Sequence, residues 1–114
     1  MAETIFRQIV ANKLEDAYGS NAFTHRSAIV TKTATMRNGS LLVAANTEAA
    51  AAAAANVTGI IDDPRVDFLA TGETLLVSIV EANAMVRQAN CTFSDKALEA
   101  EGLTALVAAG IKLV

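Results

Sequence analysis

Apolar positions cluster at different spacings along this chain, and the changes of spacing mark its predicted elements. Val57, Ile60 and Ile61 lie in one apolar run that closes at Asp62-Asp63-Pro64. Proline removes a backbone donor and pushes the residue before it out of helical geometry, so this run predicts a strand ending at the proline. Leu75 to Val80 is a second run, short enough for a strand and too short for an independent helix. Glu81-Ala82-Asn83-Ala84 predicts a turn, and Met85-Val86 the start of a returning strand. The stretch from Asn56 to Val86 therefore predicts a β-core built on a hairpin.

The flanks follow from the same reading. Ile5, Phe6, Ile9, Val10 and Leu14 recur at helical spacing, predicting an amphipathic turn or two before the turn chemistry of Glu15-Asp16-Ala17-Tyr18-Gly19-Ser20-Asn21. A helix of about ten residues is marginal alone in water, so this segment must dock on the body or on a partner. Arg26 to Thr35 is rich in β-branched residues and predicts a strand. Asn38-Gly39 predicts a tight turn because both residue types accept positive φ cheaply, with Leu41 to Ala44 as the next strand. Ala49 to Ala55 is a run of seven alanines, the best helix formers but too few to hold a helix by propensity. It predicts a short helical or irregular connector between strands.

Near the C-terminus, Ser94 is placed to cap a helix, and Asp95 suits the positive end of its dipole. Leu98, Leu103, Leu106 and Val107 would lie on or near one face, with Gly110 just past the end. Ile111-Lys112-Leu113-Val114 alternates as a terminal strand would. The predicted class is mixed α+β: a small β-rich core with a hairpin, one C-terminal helix and a terminal strand. Residues 1–25 read as an extended or partly helical N-terminal arm, and residues 26–114 as a single domain.

Composition sharpens this picture. The 53% apolar fraction is largely alanine, with four Phe, one Tyr and no Trp to fill a core. Alanine buries little area, so the core is expected to be thin and to gain from oligomerisation. A net charge of −3 with scattered Lys and Arg argues against a nucleic-acid partner, which needs clustered cations to release counterions. No apolar run approaches the roughly 20 residues of a membrane span, and Met1-Ala-Glu-Thr lacks the basic and apolar regions of a signal peptide. A soluble protein in a reducing compartment is expected.

Candidate chemistry is sparse. His25 and Cys91 form the single conceivable thiol–imidazole pair, and nothing in the sequence supplies an orienting third group. Cys91 reads instead as a small buried hydrophobe. The six glycines are spread singly, so no phosphate-cradling loop is present. Asp62, Asp63, Asp67 and Glu73 are an acidic cluster without the ligand spacing of a calcium loop, and predict a solvated turn face. No catalytic residue, metal or cofactor is expected.

The order of segments then gains meaning. Met36-Arg-Asn-Gly-Ser-Leu-Leu-Val is followed by the alanine connector, then Gly59-Ile60-Ile61-Asp62-Asp63, the apolar strand and the Ala- and Leu-rich end Ala109-Gly110-Ile111-Lys112-Leu113-Val114. In this order, over residues 26–114, the chain resembles the head decoration proteins of tailed bacteriophages, of the lambda D type. The first 20 residues are more helix-like than the arms of that family. The resemblance implies a non-enzymatic homotrimer on the outer surface of the virion, made in the host cytoplasm. It would sit at three-fold and quasi-three-fold positions of the expanded icosahedral head and clamp the major capsid protein. It further implies an N-terminal arm that orders on the capsid, with Ile5, Phe6, Ile9 and Val10 as apolar anchors. Two other readings stand beside it: a small oligomeric binding or structural module using the Asp62–Glu73 loop, and an enzyme using His25 and Cys91.

Overall fold

The computed structural model describes residues 9–13, 25–98 and 103–114. Among them, five strands form an antiparallel sheet: β2 (His25–Thr31), β3 (Leu41–Val43), β4 (Thr47–Glu48), β5 (Gly59–Ile61) and β6 (Thr74–Val80). Their spatial order is β2-β6-β5-β3-β4. A second sheet has β7 (Ala84–Val86) at its centre, antiparallel to β1 (Val10–Lys13) and parallel to β8 (Lys112–Leu113). One short helix, α1 (Leu103–Ala108), precedes β8. The architecture is the expected β-rich α+β domain with a C-terminal helix and terminal strand.

Alternation along the strands builds two cores. On one face of the five-stranded sheet, Ala28, Val30, Leu42, Ile61, Val77 and Ile79 pack with Met36 and Val66. On the other, Leu41, Ile60 and Val80 pack with Val86, Phe93, Leu106 and Ile111 under the second sheet. Leu41-Leu42 and Ile60-Ile61 are adjacent apolar pairs because the central strands are covered on both faces. Gly59 belongs to the same packing: a side-chain carbon there would come within 2.5 Å of Ile79 Cγ2.

The predicted hairpin is formed by a different pair. Residues 81–83 do turn, with Asn83 at φ 52, while Ala84, expected in the turn, opens β7; the chain leaves for the second sheet instead of folding back on β6. β6 has β2 on one side and β5 on the other, so no edge is left for β7. The hairpin partner of β6 is β5, reached through the 3₁₀ turn Pro64–Phe68. Asn38-Gly39 is likewise a turn, with Gly39 at φ 98, yet it does not pair β2 with β3. Gly39 donates its amide to the Ile61 carbonyl and accepts from the Thr92 amide, and any side chain there would collide with the Asn90 carbonyl.

Two helix expectations are corrected. Residues 10–13 of the predicted amphipathic segment are strand, paired with β7, which ties them to the body; the segment's other residues lie outside those described. Ser94 and Asp95 do not open a helix. Ser94 donates its amide to the Ala49 carbonyl at 2.8 Å, and the Asp95 carboxylate accepts the Ala51 amide at 3.0 Å. Asp95 thus serves the alanine segment, which is 3₁₀-helical over Ala51–Asn56 and lies against α1. Ala49 and Ala54 are buried, so the alanine run is part of the second core as well as a connector. Gly110 ends α1 at φ 80 as expected, with the Ile111 amide returning to the Leu106 carbonyl.

Candidate functional site

The outer surface of β2 and β6 is the least explained part of the fold. Cross-strand register sets Ser27 opposite Ser78, Ile29 opposite Leu76 and Thr31 opposite Thr74. All six are uncharged. Further along the same sheet face Val80, Ile60 and Leu41 are covered, but Ile29 is 63% and Leu76 56% exposed. Two aliphatic side chains paired across strands and rimmed by hydroxyls form an apolar patch suited to another protein surface. At one end of this surface the ring of His25 is 2.7 Å from Asp62, across β6.

The charged groups around this surface serve the fold. Asp63 caps the Pro64–Phe68 turn by accepting the Arg65 amide at 3.0 Å, and it binds the Arg65 guanidinium at 2.7 Å. The Arg65 hydrogen bonds hold the Asp63 carboxyl below its usual range despite burial, and the same pairing raises Arg65. Asp67 accepts the Asn38 amide, and Glu73 accepts the Ala70 amide. The predicted solvated acidic face is therefore corrected at Asp63, which is buried. No group of three or more His, Cys, Asp and Glu among the described residues could hold a metal ion.

No family model, curated protein or solved structure matches this chain. His25 faces Asp62, whereas Cys91 is buried and points its thiol at the Arg87 carbonyl. Burial pushes the Cys91 thiol up to about 12, far from a reactive thiolate. No helix among the described residues is long and apolar enough to cross a membrane.

The predicted anchors fare unequally. Ile5 and Phe6 lie outside the described residues. Ile9 is 1% exposed within the second core, and its carbonyl accepts the Arg87 amide, so its own domain already covers it. Val10 opens β1 opposite Val86. The sequence reading missed Ile29 and Leu76. The available signal was the uncharged alternate set Ser27, Ile29, Thr31, since a solvent-facing strand set normally carries charge.

A cavity of about 200 Å³ adjoins the patch, between β2 and the segment 45–48. Ile29 and Thr31 line it from β2, and Thr33, Met36 and Glu48 line it as well. The cavity lies where the first and last strands of the sheet approach each other. Thr33 and Thr35 hydroxyls donate to Glu48 Oε1 at 2.6 and 2.7 Å, and Arg26 donates to Asn46 at 2.9 Å.

Proposed function

We propose that this chain is a head decoration protein of the tailed-bacteriophage type. It binds as trimers to the outer surface of an expanded icosahedral head and clamps neighbouring major capsid subunits. The order of its segments motivates the reading, and the exposed Ile29–Leu76 pair, set side by side on adjacent strands, carries it. A decoration protein needs rigidity and contact surface, and this fold offers both. Burying each of the two side chains against a neighbour would contribute roughly 1–2 kcal/mol. Such small gains become firm attachment when three subunits bind together, because later contacts are effectively intramolecular. Ile5 and Phe6 remain proposed anchors, while Ile9 acts through the domain's own core.

Cosedimentation with heads of the phage or prophage whose genome encodes the chain tests the reading. The expected result is saturable binding to expanded heads only, at a stoichiometry divisible by three per local three-fold site. Leu76→Lys should keep stability within about 0.5 kcal/mol, as exposed substitutions do, and weaken binding or trimer formation. Failure of the native protein to bind either expanded or unexpanded heads would overturn the proposal.

A further inference from the structure

Glu48 is the one side chain among the described residues with a buried polar atom lacking a hydrogen-bond partner. Its Oε1 takes two threonine hydroxyls, and its Oε2 takes none. An unsatisfied buried acceptor costs about 1–3 kcal/mol, and more when it carries charge. Glu48 forms part of the wall of the 200 Å³ cavity, where Ile29, Met36 and Ala45 supply apolar surface. The same wall holds a backbone irregularity: Ala45 and Asn46 adopt positive φ of 64° and 57° in succession. Alanine in that region costs about 1–2 kcal/mol, and such strain gathers where function has shaped the chain. A cavity, an orphaned acceptor and a strained turn thus coincide at residues 45–48.

We propose that this cavity receives a primary alkylammonium group, namely a lysine side chain presented by a partner protein. The ammonium binds Glu48 Oε2, and its methylene stem lies along Ile29, Met36 and Ala45. As the side chain stands Oε2 is sealed from the cavity; rotation about the glutamate's soft last torsion turns it toward the void, with the Thr33 and Thr35 hydroxyls following Oε1. The Thr31 hydroxyl offers lone pairs to the ammonium's remaining donors, and Thr33 a single one, since it already accepts the Met36 amide. An arginine fits less well, because its planar fork wants two free acceptor sites and Oε1 is already occupied. The nearby cation Arg26 does not fill the role. It is engaged with Asn46 and paired with Glu81 at 3.1 Å. The inference stands apart from the decoration reading and holds for any protein partner.

Titration of the isotope-labelled full chain with N-acetyl-lysine N-methylamide, followed by NMR, tests it. Controls are the norleucine analogue, which keeps most of the stem without the ammonium, and n-butylammonium. The lysine compound should shift the amides of Thr33, Asn46 and Glu48 saturably, and the norleucine analogue should not. Glu48→Gln retains an oxygen for the two hydroxyls and should weaken binding roughly tenfold, the scale of a charge-assisted hydrogen bond. Thr47→Phe, at an exposed position of the cavity wall, should weaken it while leaving the carboxylate intact. Equal binding of the norleucine analogue, or no saturable shift, would overturn the proposal, the latter result leaving Glu48 satisfied by water alone. Tighter binding of n-butylammonium would overturn the assignment to a protein lysine.

Discussion

Asp63 shows how much one residue can organise here. It is buried, caps a turn, and pairs with Arg65, whose guanidinium also reaches the Leu76 carbonyl at 2.9 Å. Its carboxyl is held below the ordinary value of 3.8, so the pairing stabilises the fold above that pH and fades as pH falls through the lowered value. Asp63→Asn keeps an acceptor but loses the charge. It should be less stable by about 1 kcal/mol at neutral pH, a modest figure because Arg65 is exposed and screened. Thermal unfolding across pH checks this: the gap between the two proteins should narrow below pH 3.8. Cys91 gives a second test. With its thiol buried and pushed up to about 12, it should resist alkylation at pH 8 in the folded protein and react promptly after denaturation. The burial of Cys91 was legible from its place between polar neighbours and the absence of a partner cysteine. The burial of Asp63 was not, because sequence shows three aspartates alike and only the fold brings Asn38 to the Asp63 amide.

At the scale of elements, local chemistry identified most segments but not their neighbours. Thr74–Val80 was readable from its apolar run, and its end was given by the turn before Ala84. Its pairing was hidden, since whether β7 returns to β6 depends on β2 and β5 having taken both edges. The capping signal at Ser94-Asp95 was real, yet it was spent on another element. Asp95 accepts the Ala51 amide, at the start of the alanine helix, across more than 40 residues of sequence. Asp95→Ala should therefore destabilise by about 1 kcal/mol, as lost caps do. Hydrogen exchange should locate the loosening in residues 51–56 rather than in α1, which distinguishes the observed role from the predicted one.

For the whole molecule, the thin core expected from composition is distributed as two smaller ones, shared across a single sheet. Ile29 and Leu76 are exposed, as are Phe68, Val107 and Val114, but the pairing of Ile29 with Leu76 across adjacent strands is why we propose assembly at their patch. The proposed trimer formation and capsid binding belong to this scale, and a charge placed at Leu76 should weaken one or both.

The second sheet sets a timetable for synthesis. Val86 is flanked by Val10 on one side and Leu113 on the other, the first from early and the last from late in the chain. During translation β1 emerges long before its partner β7, and β8 long after. Closing such distant pairs carries a loop-entropy cost and slows folding. A nascent chain on the ribosome can assemble β2 to β6 once residue 80 is free, while its second core stays open to chaperones until β8 emerges.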